Sequence, residues 1–196
     1  MPGSDPTVGA ILLAAGRSER FGAQNKLLAT IDGRPIVKLA ARPLLEAPLD
    51  EHVAIVGDEG TAVGDALSVG FDVRCNDRTE EGQHTSVHEG VAVARERDWD
   101  GAVFALGDMP FVAAETLERL VEAYRGGRGS VVVPVYDGTR GNPVLFDAAH
   151  FDALGGVSGD EGGREIVANY AGTVRVAVDD PGIRRDIDRP GDLPSA

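Results

Sequence analysis

Short apolar runs alternate with longer amphipathic segments along this chain. Residues Val8–Ala14 form an apolar run of the kind that is typical of a central parallel strand covered on both faces. Shorter apolar runs predict further strands over residues 52–56, 73–75, 102–106, 131–135, 144–146 and 174–178. Apolar positions at helical spacing predict helices over residues 36–45, 61–67, 86–97 and 113–124.

This alternation of strands and helices predicts an α/β fold. We expect a three-layer α/β/α sandwich with a mostly parallel, mixed sheet of the Rossmann-like type. At 196 residues, one domain over residues 1–196 is expected, with residues 1–7 disordered. Ligands of such sheets bind beyond the carboxyl ends of the strands. Polar and glycine-rich segments follow or flank predicted strands at residues 15–26, 107–110 and 140–143, so these segments are expected to form one site.

The charge balance bears on the partners of the protein. The chain has 32 acidic and 19 basic residues, which gives a formal net charge of −13. Such a surface repels the phosphates of nucleic acids and anionic membranes, so we expect neither as a partner. Lysine occurs only at Lys26 and Lys38. An acid-rich, lysine-poor composition favours a halophile, whose cytoplasm screens these charges; a GC-rich genome is the alternative explanation.

Cysteine usage and hydropathy indicate a compartment. Cys75 is the single cysteine, so the chain forms no internal disulfide, which fits a reducing cytoplasm. No apolar run reaches the roughly 18 residues of a membrane-spanning helix, and the first residues lack a signal-peptide pattern. We therefore expect a cytoplasmic protein.

The segment over residues 13–26 combines small residues with positive charge. Ala14, Ala15 and Gly16 allow a ligand to approach the backbone closely, and successive amide N–H groups there can point at phosphate oxygens. Arg20 and Lys26 supply positive charge for a phosphorus centre under attack. The segment has neither the P-loop motif nor the glycine spacing of a dinucleotide-binding oxidoreductase. These residues alone leave a phosphate-binding loop and an ordinary strand-to-helix turn open.

The full string of residues 13–26 resembles the signature of the nucleotidyltransferase superfamily with a glycosyltransferase-A-like fold. That signature has Leu-Ala-Ala-Gly, then Ser, Arg, Met-Gly and Lys, and here Phe21 replaces the usual Met. Ala15, followed later by Asn25-Lys26-Leu27-Leu28, resembles the molybdenum cofactor cytidylyltransferase group, since the guanylyltransferase relatives usually have glycine where Ala15 stands. The resemblance extends over residues 8–193 and implies a fold of the nucleotide-diphospho-sugar transferase type.

The resemblance implies a nucleotide site built from several blocks. In the relatives, the glycine-rich loop holds the phosphates, and a block like residues 76–90 contacts the nucleobase and ribose. The implied nucleotide-binding residues are Leu13, Ala14, Ala15, Gly16, Ser18, Arg20, Lys26, Asn76, Gly82, Ser86 and Gly107. Ser86 is suited both to bond a base edge and to cap the following helix, and both roles stay open. His84 and His88 have a metal-ligand spacing but no evident third ligand, so no transition-metal site is predicted there.

The resemblance also implies catalytic, metal and acceptor residues. Asp108, in a Gly-Asp-Met-Pro block at the end of a predicted strand, and Asp188, in the terminal Asp-Ile-Asp block, are the implied metal ligands. Asp186 is the alternative to Asp188, because alternation puts both on one face of a strand. Mg²⁺, with Mn²⁺ as a substitute, takes one or two carboxylates and completes its shell with phosphates and water. The implied catalytic residues are Arg20, Lys26 and Asp108, and the implied acceptor-binding residues are Asn142 and Arg164.

The reaction implied by the resemblance is transfer of CMP from CTP to the terminal phosphate of molybdopterin, with release of pyrophosphate. GTP is the rival nucleotide, and a sugar phosphate or methylerythritol phosphate is a rival acceptor. A molybdoenzyme or a cofactor-delivery protein is a further possible partner. A non-catalytic nucleotide-binding module is the alternative from another functional class. The presence of Lys26, Asp108 and Asp188 argues against that alternative.

Overall fold

The computed structural model describes residues 5–16, 21, 25–57, 61–158 and 164–194. Most of the strands within these residues join one sheet. Its strands are β1 (Val8–Ala14), β4 (Glu51–Gly57), β5 (Asp72–Asn76), β6 (Gly101–Leu106), β7 (Val131–Tyr136), β8 (Thr139–Arg140), β9 (Val144–Asp147) and β10 (Thr173–Ala177). The strands β2 (Thr30–Ile31) and β3 (Arg34–Pro35) form a separate antiparallel hairpin.

The order of the main sheet is β10-β7-β9-β6-β1-β4-β5, with β8 paired to β7. Strand β1 lies between β4 and β6 and is parallel to both. The pairs β4–β5 and β7–β10 are also parallel, whereas β9 is antiparallel to β6 and β7. The sheet is therefore mixed and mostly parallel, as predicted, and the carboxyl ends of β1, β4, β5 and β6 lie at one edge.

Helices cover both faces of the sheet. They are α1 (Ile36–Glu46), α2 (Thr61–Leu67), α3 (Gln83–Glu96), α4 (Ala114–Arg125), α5 (Phe151–Gly155) and α6 (Arg164–Asn169). Alternate residues of β1 point to opposite faces: Leu12 packs in a core with α1, α2 and α4, and Ile11 packs in a second core with α3 and α5. The two cores confirm the three-layer α/β/α prediction.

Some predicted boundaries differ from those of the structure. Helix α3 begins at Gln83, three residues before the predicted start at Ser86. Gly82 has a φ of +120°, which is not helical, so the helix starts directly after it. The prediction that residues 1–7 are disordered does not hold for Pro6 and Thr7, and residues 1–4 lie outside the described residues. The Thr7 amide donates to Asp100 Oδ2 at 2.8 Å, and Arg125 donates to the Pro6 carbonyl. None of the described helices combines the length and the apolarity needed to cross a bilayer.

Candidate active site

The ends of β1 and β6 bring two of the predicted segments into contact. The Gly107 amide, just after β6, donates to the Leu13 carbonyl at 2.9 Å. A Cβ atom on Gly107 would lie 3.2 Å from Ala14 Cβ and from the Leu13 carbonyl oxygen, so glycine permits this close approach. The start of the glycine-rich loop and the residue before Asp108 therefore adjoin at the carboxyl edge of the sheet.

Lys26 joins two aspartates that are distant in sequence. It begins a short 3-10 helix, whose first turn is capped when the Leu27 amide donates to Asn25 Oδ1 at 3.0 Å. Lys26 Nζ lies 2.7 Å from Asp108 Oδ2 and 3.0 Å from Asp188 Oδ1. Burial lowers the pKa of Lys26, but charge attraction and hydrogen bonds to Asp108 and Asp188 outweigh it, so the pKa is raised above 10.5. The ammonium group is therefore charged at neutral pH.

One oxygen of Asp108 has an unusual environment. Asp108 Oδ1 is buried and has no hydrogen-bond partner among the described residues, which is costly for a carboxylate oxygen unless a cation or water satisfies it. Within the described residues, no group of three or more His, Cys, Asp or Glu side chains is placed to hold a metal ion. Two carboxylates, one with an unsatisfied oxygen, instead fit a hard cation that takes its other ligands from phosphates and water.

The two candidate aspartates of the last block lie apart. The prediction that Asp186 and Asp188 share one face of a strand is wrong, because residues 185–188 form no strand. The Ile187 amide instead donates to the Asp108 carbonyl at 2.9 Å, and the Ile187 side chain is buried. Asp192 Oδ2 accepts from the Asp188 amide at 2.9 Å, which fixes the turn. Asp188 thus contacts Lys26, while Asp186 lines a neighbouring pocket.

The predicted base-binding block is a buried polar cluster. Asn76 ends β5, and its Nδ2 donates to Thr85 Oγ1 at 2.8 Å and to Ser86 Oγ at 2.9 Å. The suggestion that Ser86 caps α3 is wrong, because Gly82 holds the position before the helix and Ser86 lies within it. These bonds fasten the first turn of α3 to the carboxyl end of β5. Gly82 and Ser86 therefore lie at the same edge of the sheet as Gly107.

A pocket of about 450 Å³ has walls formed by residues close to Asp108 in sequence, although Lys26, Asp108 and Asp188 do not themselves line it. Leu106 and Met109, which flank Asp108 closely in sequence, form part of its wall. Its other apolar lining residues are Leu13, Val87, Phe104, Val144, Phe146, Leu154, Val167 and Ile183, and its polar lining residues are Gln83, Arg140, Asn142, Arg184 and Asp186. Asn142 was predicted on the acceptor side. Gln83 and Arg140 lie in blocks predicted to belong to the site but were not singled out as site residues, and Arg184 was missed, because an isolated polar residue carries no distinctive spacing.

Three predicted residues cannot be placed by their side chains. Ser18 and Arg20 lie outside the described residues, and Arg164 begins α6 with a side chain that also lies outside them.

His84 and His88 have rings in an edge-to-face contact, and a ring nitrogen of His88 is 2.9 Å from the Val157 carbonyl. The ring nitrogen of His88 is therefore engaged by the backbone.

Comparison with known proteins places this geometry in a family. The family profile described as "MobA-like NTP transferase domain" matches residues 10–175, which includes most of β1, Lys26 and Asp108. The chain belongs to this MobA-like family. It is therefore an enzyme of the nucleotidyltransferase class, and the resemblance inferred from its motifs is confirmed.

Several relatives and structural neighbours resemble the chain over most of its length. The purine catabolism protein PucB of Bacillus subtilis is 34% identical, with 94% of this chain and 93% of PucB covered. Nicotine blue oxidoreductase of Paenarthrobacter nicotinovorans is 31% identical, with coverage of 81% and 80%. The crystal structure of Rv0371c from Mycobacterium tuberculosis has a TM-score of 0.83 at 26% identity and coverage of 97% and 96%. A complex of Rv0371c with manganese has a TM-score of 0.80 at 26% identity and coverage of 95% of each chain.

The names of these relatives describe different activities. One is a purine catabolism protein and another is an oxidoreductase, although both resemble the same chain. A shared fold supports many functions. The substrates of this MobA-like protein must therefore be inferred from its own site.

Proposed function

We propose that this protein transfers CMP from CTP to the terminal phosphate of molybdopterin and releases pyrophosphate, with a divalent cation as cofactor. The observation that carries the proposal is the contact of Lys26 with both Asp108 and Asp188, beside a large pocket. A cluster of this kind suits two negatively charged reactants, because it provides one fixed positive charge and oxygen ligands for a cation.

The triphosphate is proposed to lie along the glycine-rich loop. Ala14 and Gly107 are packed closely at its base, so a ligand there meets backbone amides rather than bulky side chains. Lys26 contributes positive charge from one side. Arg20 and Ser18 are proposed as further contacts of the phosphates, made from the loop. The nucleobase is proposed to lie near Gly82 and Ser86, at the first turn of α3.

Asp108 and Asp188 are proposed to hold Mg²⁺, with Mn²⁺ as a substitute. The buried and unsatisfied Asp108 Oδ1 supports this assignment, and the relative Rv0371c is known in a complex with manganese. When bound, the cation would neutralise charge on the phosphates of the nucleotide. The partly exposed Asp188 leaves room for phosphate and water as further ligands.

The pocket combines aromatic and aliphatic walls with polar and cationic side chains, which supports a planar acceptor that carries anionic and hydrogen-bonding groups. Phe104 and Phe146, in edge-to-face contact at 5.9 Å, line its wall together with aliphatic side chains. Arg140 and Arg184 line the pocket and attract an anion. A fused-ring acceptor such as molybdopterin suits this chemistry, with Asn142 and Arg164 proposed as further acceptor contacts.

The proposed reaction needs no protein base. The terminal phosphate of the acceptor is ionised near neutral pH, so its oxygen attacks the α-phosphorus of CTP directly. The bond from the α-phosphorus to the oxygen that bridges to the β-phosphorus breaks, and pyrophosphate leaves with the electron pair. The protein contributes by positioning the two reactants and by placing the charge of Lys26 beside them.

The choice of CTP rests on Ala15, at the end of β1. The methyl group of Ala15 is proposed to restrict space for a purine, where the guanylyltransferase relatives usually have glycine. A Cβ atom on Gly57, at the end of β4, would lie 3.3 Å from the Ala15 carbonyl oxygen. The backbone at Ala15 is thus packed closely against a neighbouring strand, which limits the ability of this residue to move away from a larger base.

Pyrophosphate release tests the proposal. The purified protein is assayed with CTP, GTP, ATP or UTP, each with molybdopterin, methylerythritol phosphate or a sugar 1-phosphate, in Mg²⁺ or Mn²⁺. We expect the highest kcat/KM for CTP with molybdopterin. Faster release with GTP would overturn the base assignment, and faster release with a sugar phosphate would overturn the acceptor. Binding of CTP without turnover with any acceptor would favour a non-catalytic module.

A further inference from the structure

Asp180 is a buried carboxylate outside the predicted motifs. Its side chain is only 6% exposed, and it accepts three hydrogen bonds. Asp180 Oδ2 accepts from the Ala113 amide at 2.9 Å and from Thr116 Oγ1 at 2.7 Å, and Oδ1 accepts from the Gly182 amide at 2.8 Å. The first two donors lie at the start of α4, where Ala113 has no side chain that could cap the helix. Asp180 therefore holds the start of α4 from a distant part of the chain and places negative charge there.

Residues 180–188, here called the strap, lie tightly against two other loops. A Cβ atom on Gly182 would overlap the Phe111 carbonyl, and one on Gly141 would overlap the Ile183 carbonyl. The Asn142 amide donates to the Ile183 carbonyl at 2.9 Å, and the Ile183 side chain is fully buried. The strap thus has little room to shift while these contacts hold.

The far end of the strap reaches the candidate metal site. The Ile187 amide donates to the Asp108 carbonyl at 2.9 Å, and Asp188 contacts Lys26. At the near end, Asp180 bonds the residues that follow the Asp108 loop into α4. Asp180 therefore fastens the segment that carries one candidate ligand to the segment that carries the other.

We infer that Asp180 is a positioning residue, which holds Asp188 in place against Asp108 without itself touching the reactants. The inference rests on the proposed function, because Asp108 and Asp188 need to be held together only if both bind the proposed metal ion. A carboxylate suits the task since it accepts from two backbone amides and one hydroxyl at once, and it places negative charge at the amino end of α4.

Asp180→Asn is the direct test. The substitution keeps the shape of the side chain but replaces one accepting oxygen by an NH₂ group, which faces donors. We expect kcat and the affinity for Mn²⁺ to fall about 10- to 100-fold, as for other residues that orient ligands, with little change in KM for CTP. Amide hydrogen exchange over residues 181–188 should become faster, while exchange in β1 and β6 stays unchanged. Asp179→Asn, at the exposed neighbouring residue, is the matched control.

Thr116→Val is the second variant, because it removes one donor to Asp180 and keeps the carboxylate. It should change the same quantities in the same direction by a smaller factor, and it carries the test where Asp180→Asn fails to fold. Wild-type Mn²⁺ affinity and strap exchange in Asp180→Asn would overturn the inference, as would faster exchange throughout the protein with a proportional loss of activity. Absence of nucleotide transfer by the wild type would reject the proposed function only, since exchange and Mn²⁺ binding are measured without turnover.

Discussion

Lys26 lies between two carboxylates that come from distant parts of the chain. Its ammonium is 2.7 Å from Asp108 Oδ2 and 3.0 Å from Asp188 Oδ1, so two negative charges and one positive charge leave the group with a net charge of −1. Such a group stays attractive to a cation while it keeps a positive charge next to the phosphates. Each of the three side chains therefore has an effect that can be measured separately.

Replacing Asp108 by Ala should abolish turnover and leave the fold intact. The change removes the buried, unsatisfied Oδ1 as a cation ligand, and a catalytic metal contributes several kcal/mol to transition-state stabilisation. Because about 1.4 kcal/mol corresponds to tenfold in rate, kcat should fall about 10³-fold. Pyrophosphate release gives the rate, and thermal unfolding reports the fold. Near-normal activity in this variant would remove Asp108 from the metal site.

The pair Asp188→Ala and Asp186→Ala separates the two aspartates of the last block. Asp188 contacts Lys26, whereas Asp186 lines the pocket. The first variant should therefore need more Mg²⁺ for half-maximal activity, and the second should keep the Mg²⁺ requirement of the wild type and change KM for the acceptor. The opposite pattern would make Asp186 the ligand.

Replacing Lys26 by Met should separate charge stabilisation from metal binding. Methionine keeps most of the length of the side chain but removes the charge between Asp108 and Asp188. Mn²⁺ should bind at least as tightly, because the two carboxylates lose a competing cation, whereas kcat should fall about a hundredfold or more. Titration with Mn²⁺ and pyrophosphate release measure the two effects, and Lys38→Met, at the exposed second lysine, is the control. Loss of Mn²⁺ binding in Lys26→Met would instead make Lys26 a structural support of the site.

At the scale of elements, the sequence predicted the sheet better than the connections around the site. The strands β1, β4 and β6 are apolar because they are covered on both faces, so their runs stood out. The hairpin of β2 and β3 has two residues in each strand, too few for a period to emerge. Asp186 and Asp188 were wrongly placed on one face of a strand because their alternation imitates one. Tertiary contacts of Ile187 and Asp188 decide their path instead.

Helix α4 offers a prediction on the stability of the fold. The Tyr124 hydroxyl donates to the Asp100 carbonyl at 2.6 Å and to Asp147 Oδ2 at 2.8 Å, so the two acceptors share one proton. Burial, followed by the hydrogen bond and charge of Asp147, raises the pKa of Tyr124 above 10.0. The neutral phenol therefore contributes stability that is fully present below about pH 10 and is lost as the pH rises towards the folded-state pKa, because the unfolded state releases the proton first.

Tyr124→Phe should lower the free energy of unfolding by about 1 kcal/mol at pH 7. The stability of this variant should also fall less steeply than that of the wild type between about pH 9 and about pH 11, the interval in which an unfolded tyrosine ionises. Urea unfolding across this interval measures both effects. Tyr136→Phe, at a half-buried tyrosine of β7, is the comparison. Parallel pH profiles for the wild type and Tyr124→Phe would exclude ionisation of Tyr124 as the cause.

At the scale of the whole molecule, charge is distributed unevenly between the site and the remaining surface. The chain has a net charge of −13, yet in and beside the pocket Lys26, Arg140 and Arg184 balance Asp108, Asp186 and Asp188. The sequence predicted the negative balance of the chain but not this local neutrality, because Arg140 and Arg184 line one pocket only when β8 and the strap fold together. An acidic surface around a site with cations disfavours the binding of anions elsewhere on the molecule.

The same imbalance predicts that salt stabilises the protein. The folded state brings 32 acidic and 19 basic residues close together, and the Debye length falls from about 10 Å at 0.1 M salt to about 3 Å at 1 M. Added salt screens this repulsion more than it screens the short contacts of ion pairs. The free energy of unfolding measured in urea should therefore rise between about 0.05 M and about 1 M KCl.

A variant with less repulsion checks the cause. Glu118 and Glu122 are exposed on α4 at a spacing of four residues, where like charges destabilise a helix, and Glu122 lies near its negative carboxyl end. The double variant Glu118→Gln/Glu122→Gln should therefore be more stable than the wild type at low salt and should gain less from added KCl. Urea unfolding of both proteins at each salt concentration measures the difference. A wild type that loses stability as KCl rises would show that attractive ion pairs outweigh repulsion, and the composition would then have no bearing on a high-salt cytoplasm.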